Sequence, residues 1–109
     1  MFSFYLSGIR QAFYAFEKAY KMVVGDKVAR LTRLTNLEQF TVEQLFFIAL
    51  AKDACAEFRL EHLKTKIDHA FVPPRSRVNL ALGNLPPFAA TFQCSPGSKL
   101  NPRERCRIW

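Results

Sequence analysis

Residues 40–55, FTVEQLFFIALAKDAC, hold a helix start and a helical stripe in one stretch. Thr41 and Gln44 stand at capping-box spacing: the hydroxyl accepts from the Gln44 N–H while the Gln44 side chain reaches back to the Thr41 N–H. Leu45, Phe47, Ile48, Ala51, Cys55 and Phe58 follow at helical spacing, which predicts a helix from Thr41 to about Arg59. Leu60–Ile67 either continues that helix or forms a separate turn.

Upstream, Ile9, Phe13, Phe16, Tyr20 and Val23/Val24 make a second apolar stripe, with Ala12, Ala15 and Ala19 filling in and Arg10, Glu17, Lys18 and Lys21 off it. This predicts an amphipathic helix over 8–24, stopped by Gly25-Asp26. Residues 26–39 are mixed and polar, a short helix or a loop. Downstream of Phe71 the character changes. All 6 prolines (Pro73, Pro74, Pro86, Pro87, Pro96 and Pro102) fall there, together with Gly83 and Gly97. Proline removes a donor and clashes inside a helix, so only a short helical stretch near Pro87–Phe92 is expected in that region. The predicted fold class is therefore mainly α: two amphipathic helices followed by an extended, proline-rich C-terminal tail. Such a tail needs a surface to lie on, and two helices alone supply little of one.

Half of the 109 residues are apolar and 14% are aromatic, which excludes an intrinsically disordered chain. The length allows one domain at most, or part of one. The longest apolar run, Leu45–Ala51, is far short of the roughly 20 residues needed to cross a bilayer. The MFSFYLSGIR start has no basic region and no small-residue cleavage site, so it does not read as a signal peptide. Sixteen Lys+Arg against nine Asp+Glu give a net charge of +7. Most of these cations are interspersed with acids, and only Lys99–Arg107 approaches a basic tail. No helix-turn-helix, RNA-binding or zinc-finger spacing accompanies it, and no nucleic-acid partner is expected.

The chemistry-bearing residues are few. His62 and His69 are not spaced as a helical pair of zinc ligands, and no HExxH, phosphate loop or nucleophile elbow occurs. Asp68-His69, followed by Arg75 and Arg77, is the one grouping with catalytic character. A carboxylate beside an imidazole fixes its tautomer, and a guanidinium binds a carbonyl or carboxylate; a solvated surface Asp-His pair is the alternative. Cys55, Cys94 and Cys106 show no metal-ligand spacing. Their odd number means three inert thiols in a reducing compartment, or thiols whose partners lie elsewhere in an oxidising one.

The last 25 residues, LPPFAATFQCSPGSKLNPRERCRIW, resemble the carboxyl terminus of the neprilysin and endothelin-converting-enzyme family of zinc metalloendopeptidases. In that family an N-x-P-x-F segment leads to a cysteine, a Met/Leu-Asn-Pro stretch and a terminal Cys-x-x-Trp. The counterparts here are Asn84 to Phe88, Cys94 through Leu100-Asn101-Pro102, and Cys106 to Trp109. The Phe40–Cys55 stretch is similar to the family's T-x-E-Q-L-F-F helix, Gly8–Phe16 to the helix after its third zinc ligand, and Arg77-Val-Asn79 to its R-V-N-G. The likeness covers residues 7–109.

The resemblance implies a C-terminal part of a larger, thermolysin-like helical catalytic domain that hydrolyses peptides. Zinc is held in that family by two histidines of HExxH and a glutamate of a downstream E-N-x-x-D. By register, HExxH falls ahead of Met1, and E-N-x-x-D falls on Met1 and Tyr5. Residues 1–6 thus replace the segment of the third zinc ligand, and the chain by itself is expected to bind no zinc and be inactive. The resemblance also implies Arg77 as the arginine that binds the substrate backbone. It implies His69 as the transition-state histidine, although the family places that residue six before the arginine and His69 lies eight before Arg77. Asp68 is then the carboxylate that orients His69. Cys55, Cys94 and Cys106 are implied to form disulfides with cysteines outside the chain. The implied partners are a peptide substrate and the missing N-terminal part of the peptidase. The implied location is extracellular, on a plasma-membrane ectodomain. A short pseudoenzyme or peptide-binding module is the alternative.

Overall fold

A computed structural model of the chain describes residues 2–67 and 72–106. Six helices follow one another: α1 (Phe2–Val24), α2 (Asp26–Leu31), α3 (Val42–Asp53), α4 (Leu60–Ile67), α5 (Pro74–Gly83) and α6 (Pro86–Thr91). The described residues contain no strand. The mainly α class is as expected; the number and placement of the helices are not.

Helix α1 begins six residues earlier than its stripe suggested, and Leu6 from that extra turn is buried beside Ile9 and Phe13. It ends at Gly25, whose φ of 78° only glycine adopts without strain, with its N–H donating to the Lys21 carbonyl at 2.9 Å. The capping box at Thr41 is present in both directions: Gln44 N–H donates to Thr41 Oγ1 at 3.1 Å, and Thr41 N–H donates to Gln44 Oε1 at 2.9 Å. Helix α3 stops at Asp53, earlier than predicted. Ala54 N–H donates to the Leu50 carbonyl, and Cys55 N–H closes a tighter turn on the Lys52 carbonyl at 3.0 Å. Cys55 is consequently exposed, and Phe58 stacks on His62 of α4 instead of extending the α3 stripe. Leu60–Ile67 is a separate helix.

The larger correction concerns the tail. A ten-residue helix, α5, occupies a stretch read as extended. Pro73 is its N-cap and Pro74 its first residue, where the missing N–H has no intrahelical role and the fixed φ is already helical. Leu85, Pro86 and Pro87 open α6 in the same way. The prolines therefore start helices here and do not forbid them.

Packing centres on Phe47, 1% exposed. Its ring stacks on Phe13 of α1 (centroids 4.8 Å apart) and meets Phe88 of α6 edge-on at 5.3 Å. Leu6, Ile9, Val78, Ala81, Leu82 and Leu85 complete the cluster, so α5 and α6 supply about half of the core. Gln44 adds a polar link, its Nε2 donating to the Thr91 carbonyl at 3.2 Å and tying the start of α3 to the end of α6.

Candidate functional site

Arg77 lies one turn into α5, its N–H bonded to the Pro73 carbonyl at 2.9 Å. Its neighbour Val78 is buried in the core, and α5 packs along α1. That places the half-buried Arg77 side chain against the first turns of α1. The guanidinium makes two contacts. Nη2 donates to the Val72 carbonyl at 3.1 Å, and the Cζ atom lies 5.6 Å from the centroid of the Tyr5 ring. Tyr5 itself packs against the core cluster. No carboxylate among the described residues pairs with Arg77; the ion pair described, Lys21–Glu17 at 2.9 Å, lies within α1. A guanidinium has five N–H groups in a planar fork, and one of them is used here. The remainder are suited to oxygen acceptors such as a peptide carbonyl or a carboxylate.

Arg75, on the same helix, is exposed. Asp68 and His69 lie outside the described residues. His62, the other histidine, is exposed and stacked on Phe58 on α4. No group of three or more His, Cys, Asp or Glu among the described residues is arranged to hold a metal ion. The zinc implied by the family likeness therefore has no ligand set in these residues, and no step is derived through it. Cys55 and Cys106 are exposed and Cys94 is half-buried; all three are free thiols.

The segment after α6 is tethered by side chains that the sequence reading treated only as motif letters. Asn84, the C-cap of α5, donates from Nδ2 to the Leu80 carbonyl at 2.8 Å and accepts from Cys106 N–H at 2.8 Å. Asn101 donates to the Cys94 carbonyl at 2.8 Å and accepts from Arg105, whose Nε also donates to the Gly83 carbonyl at 3.2 Å. Gly83 leaves room for this return: a Cβ there would meet the Lys99 carbonyl oxygen at 3.3 Å. These links leave an open hollow of about 420 Å³ between α5 and the tail, lined by residues that include Asn84, Lys99, Arg105 and Cys106.

This arrangement, with two helices opened by proline and a tail pinned by two asparagines, is the part of the chain that carries the sequence motifs. The sequence model described as Peptidase family M13 matches residues 6–108. The chain belongs to peptidase family M13. Among relatives of this M13 chain, Neprilysin-1 of Caenorhabditis elegans is 38% identical over 104 residues, which are 94% of the chain and 13% of the relative. Membrane metallo-endopeptidase-like 1 of Homo sapiens is 41% identical over 106 residues, 94% of the chain and 12% of the relative. Neprilysin-2 of Drosophila melanogaster is 31% identical over 103 residues, again 94% and 12%. The M13 chain thus spans about an eighth of the length of these curated relatives. No solved structure matches it.

What the sequence reading missed is Tyr5 as the neighbour of Arg77. It placed Tyr5 only by register. An aromatic ring under a guanidinium has no sequence signal, because the two residues are 72 positions apart and meet only when α1 and α5 pack.

Proposed function

We propose that this chain is the carboxyl-terminal part of the catalytic domain of a neprilysin-like zinc metalloendopeptidase. The match of family M13 across residues 6–108 carries this reading. Neprilysin-1 and Membrane metallo-endopeptidase-like 1 are the names of two of the relatives, and the chain corresponds to 12–13% of their length. Arg77 supplies the donor that binds the substrate backbone, in keeping with a half-buried guanidinium that has one N–H engaged and no carboxylate partner among the described residues. His69 is the transition-state histidine and Asp68 its orienting carboxylate. On this reading the HExxH histidines and the water-activating glutamate lie in the rest of the polypeptide. A zinc ion held there would supply an activated water and polarise the scissile carbonyl.

In the whole enzyme Cys55, Cys94 and Cys106 form disulfides with cysteines elsewhere, which fits an extracellular or plasma-membrane ectodomain. Free thiols at three separate places, two of them exposed, support that reading. The apolar surface of Met22, Val23 and Leu31, 76%, 83% and 81% exposed, supports a missing part of the same domain as their cover. The same surface favours a second reading, a short pseudoenzyme module that binds a protein or peptide.

The 109-residue chain by itself is without catalysis on this reading. The test is hydrolysis of a quenched-fluorescent peptide by the purified chain, with zinc added and with a chelator or phosphoramidon as controls. Background rates in all conditions are expected. Turnover that both inhibitors abolish would overturn the claim of inactivity. An immunoblot of native tissue against the 94–109 peptide separates the two readings: a large glycosylated band supports the peptidase, a band near 12.6 kDa the module.

A further inference from the structure

We propose that Tyr5 is a positioning residue for Arg77: its ring and the Val72 carbonyl together hold the guanidinium plane, so that the unused N–H edge meets an oxygen acceptor of a peptide already aligned. The inference rests on the reading of Arg77 as the peptide-binding arginine.

Three observations carry it. The Arg77 Cζ lies 5.6 Å from the Tyr5 centroid, inside the range in which a ring quadrupole attracts a cation. The Val72 carbonyl, just ahead of α5, takes one Nη2 hydrogen at 3.1 Å. Two constraints of different kinds, one directional and one facial, restrict a side chain that otherwise has rotamer entropy to lose on binding. Third, Tyr5 is itself anchored, because it lies within α1 and packs against the hydrophobic core cluster. A half-buried guanidinium with no carboxylate partner among the described residues gains from an incoming oxygen what it does not receive from the fold. The ring stabilises the cation without using any of its N–H groups, which an acidic residue at that place would consume. Tyr5 therefore keeps Arg77 both ordered and available.

The test uses the full 109-residue chain labelled with ¹⁵N-arginine. The Arg77 Nε–Hε signal is assigned by its loss in Arg77→Lys. N-acetyl-leucyl-leucine, with a free carboxylate, is the probe, and its amide is the uncharged control. In the unaltered chain the Arg77 Nε–Hε proton is expected upfield of the other arginines, from the ring current, and shifts saturably with the acid. Tyr5→Phe keeps the ring and is expected to keep both. Tyr5→Leu keeps an apolar side chain in the core contact but removes the ring. It is expected to lose the upfield position and bind the probe about two- to five-fold more weakly, the scale of an exposed cation–π contact.

Equal affinity in Tyr5→Leu and the unaltered chain would overturn the positioning role while leaving Arg77 as the binding residue. No Arg77-dependent binding in the unaltered chain would overturn the reading of Arg77 and this inference with it. Should Tyr5→Leu fail to fold, a ring-fluorinated tyrosine at position 5 keeps the shape and weakens the quadrupole. Unchanged affinity and Nε–Hε shift in that variant would sink the proposal equally.

Discussion

Phe47 has four aromatic neighbours, Phe46 beside it on α3, Phe13 on α1, Phe88 on α6 and Phe92 at the α6 C-cap, so its side chain is where α1, α3 and α6 meet. Phe47→Ala leaves a cavity in a cluster that cannot close over it, and a loss of about 3–5 kcal/mol is expected in chemical denaturation. Phe47→Leu should lose clearly less; equal losses would mean that the rings are not what holds the helices. Asn84 offers a polar counterpart, with one bond made as donor and one as acceptor. Asn84→Ala is expected to cost about 1 kcal/mol and to speed exchange of the Cys106 amide. Asn84→Asp keeps the acceptor for that amide, so its exchange should stay slow although the bond to Leu80 is gone. Fast exchange in both variants would assign the tether to Arg105 and Asn101 instead. Glu38, fully exposed, shows how a turn shifts a carboxyl group. Its own N–H and that of Asn36, the latter at 2.9 Å, bond the ionised form and hold the pKa below the ordinary glutamate value. Because the folded pKa is the lower one, the contribution to the turn is present above the unfolded value and is lost as pH falls through the folded one. A carbon-detected NMR titration should place the Glu38 midpoint below that of an unstructured glutamate, with the Asn36 amide shifting in step. A midpoint at the unstructured value would contradict the bond.

At the scale of the element, the start of α3 does two things with one side chain. Gln44 closes the capping box through Oε1 and reaches α6 through Nε2. The two roles separate by substitution. Gln44→Glu retains the acceptor for the Thr41 N–H and adds a charge that suits a helix N-terminus, but it cannot donate to the Thr91 carbonyl. Gln44→Ala loses both. If the cap dominates, Gln44→Glu should unfold close to the unaltered chain and Gln44→Ala about 1 kcal/mol below it. If the link to α6 dominates, the two variants fall together. The proline-opened helices set the remaining geometry: α5 carries Arg77 and, four residues on and so one turn along the same face, the fully buried Ala81.

At the scale of the whole molecule, the chain is extended for its length. Its radius of gyration is 15.9 Å, against about 13 Å for a compact chain of this size. The three thiols differ in shelter. Cys94 packs against the core cluster while Cys55 and Cys106 are exposed. Two thiols are expected to react at once with a colorimetric disulfide reagent in native buffer and the third only slowly; three equal rates would mean that the core does not close over Cys94. The exposed apolar residues at the end of α1 and along α2 belong to this scale too. They form no part of the core that α1, α3, α5 and α6 build.

The helical class, the stripe of α1, the capping box at Thr41 and the family likeness of residues 7–109 were legible in the sequence, because periodicity and cap chemistry act between residues a few positions apart. Arg77 was singled out through its motif, and its role is the reading proposed above. Helix α5 was not legible, because a proline both opens and breaks helices, and only its packing against α1 and α6 selects the first role. The end of α3 at Asp53 escaped notice for a similar reason: neither glycine nor proline marks it, and Phe58 finds its partner on α4. The Tyr5 ring on Arg77 and the return of Cys106 to Asn84 join residues 72 and 22 positions apart. Contacts at such separations are made by tertiary packing, which brings together side chains that no local pattern links.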